Sequence, residues 1–104
     1  MSYFILETEG QPVGCVAFES AEPELGYLER LAVIPRYRRN GFGMRLVAHV
    51  FATARARGAK RLSIGIISEQ SELKQWYRRI GFVESETRTF EHLPFAVTLM
   101  SCTL

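Results

Sequence analysis

The sequence predicts a single α/β domain, and three observations carry that prediction. Short runs rich in aromatic and β-branched residues alternate with Gly- and Pro-containing turns, the pattern of strands. The segment Arg38-Arg39-Asn40-Gly41-Phe42-Gly43 opens an apolar spacing of three and four that lasts to Arg57, the pattern of an amphipathic helix. Beyond it, Leu62–Ile67 is a nearly continuous apolar run, so strand, helix and strand form a β-α-β unit with parallel strands. A chain of 104 residues supports one core and not two, so the domain is taken as 1–104.

The elements follow in order. Tyr3–Glu7 and Val13–Glu19 read as strands, joined by a hairpin turn at Glu9-Gly10-Gln11-Pro12. Ser20–Glu24, with Pro23, is a second turn. Gly26–Ile34 is a third strand, ended by Pro35, which cannot donate to a ladder. The first helix, from about Gly41, puts Leu46, Val47, Val50, Phe51 and Ala54 on one face, and Gly58 stands where a C-terminal glycine belongs. Leu62–Ile67 carries the signature of a strand buried on both faces. A second helix spans about Glu69 to Arg79, with Glu69 and Glu72 in its first turn and Arg78 and Arg79 in its last, as the helix dipole favours. Its apolar stripe is Leu73, Trp76, Tyr77 and Ile80, and Gly81 stops it. Phe82–Thr89 and Phe95–Met100 are the closing strands.

Composition narrows the function classes. Hydrophobic residues make up 47% of the chain, which fits a globular protein. A net charge of +2 does not by itself imply nucleic acid. No apolar run is long enough to span a bilayer, and no signal-peptide pattern opens the chain. Cys15 and Cys102 have neither metal-type spacing nor a disulfide framework around them. The expectation is a cytoplasmic protein with reduced thiols, no metal, no membrane partner and no nucleic-acid partner.

Charge is informative through its clustering. From Ile34 to Ser68 there is no Asp or Glu, whereas Arg36, Arg38, Arg39, Arg45, Arg55, Arg57, Lys60 and Arg61 all fall there. Two glycines at a helix start let backbone N–H groups approach a ligand, and the helix dipole adds positive potential. An anionic ligand, a phosphate or pyrophosphate, is expected at this turn.

These residues resemble a known family. Tyr27-Leu28-Glu29-Arg30-Leu31-Ala32-Val33-Ile34-Pro35-Arg36-Tyr37-Arg38-Arg39-Asn40-Gly41-Phe42-Gly43 is similar to the acetyl-CoA-binding signature of the GNAT superfamily of N-acetyltransferases, a strand followed by Arg/Gln-x-x-Gly-x-Gly/Ala. Tyr77-Arg78-Arg79-Ile80-Gly81-Phe82 matches the family's Tyr-x-x-x-Gly-Phe. The resemblance implies a mixed, mostly antiparallel sheet, taken here with a helix on each side, whose third and fourth strands splay apart. It implies acetyl-CoA as acyl donor, bound by Arg38, Arg39, Asn40, Gly41, Phe42, Gly43 and Met44 at the pyrophosphate and by Leu31, Ala32 and Val33 along the pantetheine arm. Family members usually begin with a further strand and two helices, and this chain is read as N-terminally shortened. An Asn usual near the start of the second helix is replaced by Gln70.

Acetyl transfer to an amine also needs a base and a partner for the leaving thiolate. Glu29 is the acidic residue nearest the strand edge, and the resemblance assigns the thiolate partner to Tyr77. Both have rival readings: Glu29 as a solvated strand residue paired with Arg30 or a neighbour, Tyr77 as core packing beside Trp76. The function expected is N-acetyl transfer to a primary amine, small-molecule or peptide, by direct attack on the thioester. The alternatives are a non-catalytic acetyl-CoA-binding regulatory protein and a nucleic-acid module. An exposed sheet edge and face predict a homodimer.

Overall fold

The computed structural model describes every residue from Met1 to Leu104. Its elements are β1 (Ser2–Thr8), β2 (Gln11–Glu22), β3 (Leu25–Val33), a 3-10 turn (Pro35–Tyr37), α1 (Phe42–Ala56), β4 (Arg61–Ile67), α2 (Ser71–Ile80), β5 (Val83–Thr89) and β6 (Ala96–Thr103). The strands form one six-stranded sheet in the order β1-β2-β3-β4-β6-β5, and only β3 and β4 are parallel neighbours. This is the mixed, mostly antiparallel α/β sheet that the sequence predicts. No helix is long and apolar enough to cross a membrane.

Local chemistry accounts for the joints. Glu9 and Gly10 both have positive φ, 51° and 77°, the mirror-image turn whose twist suits a two-residue hairpin. Glycines with φ of 85° and 130° follow α1 and α2 at Gly58 and Gly81. On α1, Leu46, Val47, Val50 and Ala54 are buried. The second helix begins at Ser71, so Glu69 lies before it and Glu72 alone supplies the acid of its first turn.

Two expectations are corrected. The fourth strand is not buried on both faces: Leu62, Ile64 and Ile66 point into the core, while Arg61, Gly65 and Ile67 are exposed. Nor do the helices lie on opposite sides of the sheet. Strands β4 and β5 each run antiparallel to β6 and are therefore parallel to each other, and both crossovers step the same way across the sheet. Right-handed connections then place α1 and α2 on one face. The packing agrees, since Phe51 of α1 lies 6.0 Å from the ring of Phe82, which lies 5.3 Å from that of Tyr77 in α2. A single core of 13 buried residues joins these helices to the inward rows of the sheet. The opposite face carries no helix of this chain, and Tyr3 and Ile5 on it are 58% and 66% exposed.

The feature that positions the site is a fork between β3 and β4. They pair only at Leu25–Arg61, Gly26–Leu62 and Tyr27–Ser63, although β3 continues to Val33 and β4 to Ile67. Strand β4 stays paired with β6 over its whole length, so it is β3 that departs. Its register with β2 shows why: Ala32 faces Cys15 and Glu29 faces Ala17, leaving Arg30 and Leu31 opposite Val16 alone. This is a β-bulge, with Arg30 in the left-handed region at φ 55°, and a bulge bends and twists the strand that carries it.

Gly26 sits at the closed end of the fork, where a Cβ would lie 2.4 Å from Cε1 of the fully buried Phe18. Gly26→Ala must displace a core ring and is expected to lower stability by about 1–3 kcal/mol. The urea midpoint of unfolding measures this, and an unchanged midpoint would refute it.

Candidate active site

The site begins at the turn between β3 and α1. Arg39 and Gly41 both have positive φ, 68° and 77°. Gly41 is the N-cap of α1 and offers no side chain to cap it. The first helical hydrogen bond runs from Arg45 N–H to Gly41 C=O at 3.1 Å, which leaves the N–H groups of Phe42, Gly43 and Met44 without a helical acceptor. No acidic residue occupies the first turn. A Cβ on Gly41 would meet nothing within 4 Å, so the turn faces open space. Arg38 Nε donates to the Val33 carbonyl at 3.2 Å and fastens the turn to the end of β3. Together these make a positive, donor-rich surface suited to a phosphate.

A cleft of about 590 Å³ extends from this turn into the fork, within the range of small-molecule sites. One wall is Leu31, Ala32 and Val33 of β3. The turn contributes Arg38, Arg39, Gly41, Phe42, Gly43 and Met44, and Gln70 lies on the far side. Past Tyr27, the β4-facing edge of β3 has no ladder partner, so its backbone is free to pair with an extended ligand. The cleft is thus cationic at one end and apolar along its length. Asn40 does not line it. Its Nδ2 donates to the carbonyls of Tyr37 at 2.9 Å and Arg38 at 3.3 Å, so its side chain holds the turn's shape.

Four lining residues were not anticipated: Tyr37, Glu72, Leu73 and Trp76. Tyr37 stands directly before the arginines and could have been read from that position. Leu73 and Trp76 carry the spacing of a core stripe, but α2 buries only Tyr77 outright and leaves Leu73 39% exposed at the cleft. No sequence signal separates these two roles. Nowhere do three His, Cys, Asp or Glu side chains gather as a metal site would need.

Residues 1–82 match the model of the acetyltransferase (GNAT) family. The chain belongs to this family. It is 36% identical over 95 residues to an amino-acid acetyltransferase of Ectopseudomonas mendocina, an alignment covering 90% of this chain and 20% of that protein. It therefore spans about a fifth of the length of the amino-acid acetyltransferases it matches. Among solved structures, a GNAT acetyltransferase from Elizabethkingia anophelis with acetyl-CoA bound superposes with a TM-score of 0.92 at 18% identity, over 98% of this chain and 75% of that one. The N-acetylglutamate synthase of Neisseria gonorrhoeae, complexed with coenzyme A and N-acetyl-glutamate, gives 0.79 at 28% identity, over 98% of this chain and 25% of that one.

Two further residues bear on a GNAT reaction, and neither lines the cleft. Glu29 is half-buried on the face without helices, in one row with Tyr3 and Ala17. It lies two residues beyond the last β3–β4 pair, at the opening of the fork. Its carboxylate enters no ion pair, because Arg30 turns instead to the Tyr3 hydroxyl and ring. Tyr77 is 4% exposed, between Trp76 at 4.9 Å and Phe82 at 5.3 Å. No buried side-chain oxygen lacks a hydrogen-bond partner, and the Tyr77 hydroxyl has none, so that oxygen reaches the surface while its ring is enclosed.

Burial pushes the Tyr77 phenol from 10.0 up to about 12. The folded-state value is raised, so its contribution to stability is intact below about pH 10 and is lost as pH climbs to about 12, where the unfolded chain has released a proton that the native one retains. Tyr77→Phe removes this dependence. Urea midpoints taken near neutrality and again at about pH 11 should fall further for the wild type than for Tyr77→Phe. Equal losses would show that the phenol is not held neutral by the fold.

Proposed function

We propose that this chain transfers an acetyl group from acetyl-CoA to a primary amine by direct attack of the amine on the thioester. The observation that carries the reading is the fork, a gap in the sheet whose mouth is lined by an uncapped helix N-terminus and arginines. Phe42, Gly43 and Met44 N–H groups with Arg38 and Arg39 hold the pyrophosphate, and the free edge at Leu31–Val33 pairs with the pantetheine arm, with Gln70 facing it across the cleft. This fits a ligand that is anionic at one end and amide-bearing along its length.

A gap in a sheet is open to both faces. The cofactor lies on the helix side, and the amine enters from the bare face, past Glu29. Glu29 takes the ammonium proton, directly or through a water, which frees the nitrogen lone pair to form the new C–N bond. A backbone N–H of β3 beside the thioester carbonyl stabilises the oxyanion. When the C–S bond breaks, Tyr77 donates a hydrogen bond to the sulfur. The second proton of the attacking nitrogen is lost to solvent as the amide forms, while the departing thiolate takes one up to become the free thiol. A phenol raised to about 12 stays protonated beside a thiolate of ordinary pKa about 8.5, so it stabilises the leaving group without giving up its proton. Similarity to amino-acid acetyltransferases makes α-amino acids, glutamate first, the acceptors to try.

A second reading, a non-catalytic acetyl-CoA-binding regulator, is favoured by one observation: neither Glu29 nor Tyr77 lines the cleft. Release of free thiol in the presence of an amine separates the two. Under the enzymatic reading, Glu29→Gln is expected to slow turnover by about a hundredfold near neutrality, with the deficit shrinking at high pH. Tyr77→Phe should lower kcat and leave acetyl-CoA affinity near the wild-type value. Full activity of both variants at every pH would remove these roles.

Binding is tested separately at Gly41. Gly41→Glu meets open space but, at φ 77°, strains the backbone as other side chains do there, and it places a carboxylate at the pyrophosphate site. Gly41→Asn is neutral and tolerates the left-handed conformation. Calorimetry should show acetyl-CoA binding lost in the first and largely kept in the second. Equal affinities would show that the phosphates bind elsewhere.

A further inference from the structure

The two edges of the sheet are built differently. Strand β5 is exposed along its whole length and carries Glu84, Glu86 and Arg88, charges that deter pairing with another chain. Strand β1 has no charge before Glu7 and no proline, and beyond β2 its other edge is unpaired. Its outward residues Tyr3 and Ile5 are more than half exposed. Its inward residues Phe4 and Leu6 are only half-buried, because a groove of about 430 Å³ runs between this edge and α1, beside Leu46 and His49. The bulge on the β2 side falls between Leu6 and Glu7 and leaves Ser2–Leu6 regular. An exposed, regular, apolar edge strand is a template for another strand.

Charge along β1 says which strand fits. Its beginning is flanked by cations: Arg30 lies on the Tyr3 hydroxyl and ring, and Arg57 donates to Ser2 Oγ at 3.1 Å. Its end carries Glu7, followed by Glu9 in the turn. A strand of reversed direction and the same charge order is complementary to it, and a second copy of β1 meets both conditions.

We propose that this chain forms a two-fold homodimer by antiparallel β1–β1 pairing, joining two six-stranded sheets into one continuous sheet. With the axis at Ile5, the side-chain faces stay in phase: Ile5 meets Ile5, Phe4 meets Leu6, and Tyr3 meets Glu7 of the partner subunit. The last pair brings Glu7 of the partner subunit to Arg30, twice by symmetry. Phe4 and Leu6 of the two copies close over both grooves from the helix side. One strand pair buries a small interface, so the dimer dissociates on dilution. The acetyl-CoA cleft lies at the β3–β4 fork, away from this edge, so the proposal stands or falls independently of the catalytic reading.

Sedimentation velocity of the 104-residue chain across micromolar concentrations should show a monomer–dimer equilibrium. Ile5→Lys puts a charge on a solvent-exposed position of the edge and should give a folded monomer, with folding checked by far-UV circular dichroism. Glu7→Arg and Arg30→Glu should each weaken association by about tenfold, and the two together should restore it. A wild type monomeric throughout, or a dimer indifferent to Ile5→Lys, overturns the interface. If Ile5→Lys fails to fold, the charge-reversal pair decides the question. A double variant no better than the singles overturns the register.

Discussion

The bulge at Arg30 and Leu31 is the constraint on which the rest of this structure depends. One extra residue opposite Val16 turns β3 away from β4 after three pairs. Without that turn the parallel ladder would continue, and the β4-facing edge at Leu31–Val33, which now has no strand partner, would be consumed by β4. The cleft, the free edge and the access from both faces all follow from this one mismatch in register. Its cost is a non-glycine residue held at positive φ. The strained position is fixed from outside, since Arg30 is anchored on Tyr3.

The helices complete what the bulge begins. Because both crossovers are right-handed and step the same way, α1 and α2 lie side by side, and the N-terminus of α1 comes next to the first turns of α2. A Cβ on Gly43 would already touch the Trp76 ring at 3.5 Å. Two elements far apart in sequence thereby wall one cleft, and the only acid lining it is Glu72, in the first turn of α2.

Much of this was legible in the sequence. Turn chemistry marked five joints: Glu9-Gly10, Pro35, Gly41, Gly58 and Gly81 punctuate where expected, the glycines because they enter positive φ at little cost and Pro35 because it cannot donate to a ladder. The turn expected at Ser20–Glu24 is shorter, since β2 runs on to Glu22. Most of the residues named for the cofactor do line the cleft, since a helix start with glycines and arginines is a local property. What the sequence hid was non-local. The apolar run Leu62–Ile67 suggested a strand covered on both faces, but Ser63, Gly65 and Ile67 face the side without helices, and periodicity alone does not reveal which layers exist. Trp76 and Leu73 looked like core because lining a cleft and filling a core use the same spacing. Asn40 fell inside the signature but turned its amide to Tyr37 and Arg38, a geometric outcome that composition does not contain.

A sheet insulated on one side only divides its own hydrogen bonds into two populations. Amides that join β4 to β6 lie in the middle of the sheet, over the shared core, where opening them requires much of that core to part. Strand β5 has no such cover, since every residue from Val83 to Thr89 is exposed. Beyond its ladder with β6 it is tied by side-chain hydrogen bonds, Ser85 to the Leu99 carbonyl and Thr87 with Thr98, and by ion pairs of Glu84 with Arg78 and Lys74, contacts that salt screens. Strand β5 is therefore expected to exchange faster than β4 and β6, with protection that falls as ionic strength rises. Because the sequence linking α2 to β5 is only Gly81 and Phe82, and Phe82 is fully enclosed, fraying stops at that ring. The outer strand can loosen while the tyrosine helix keeps its place.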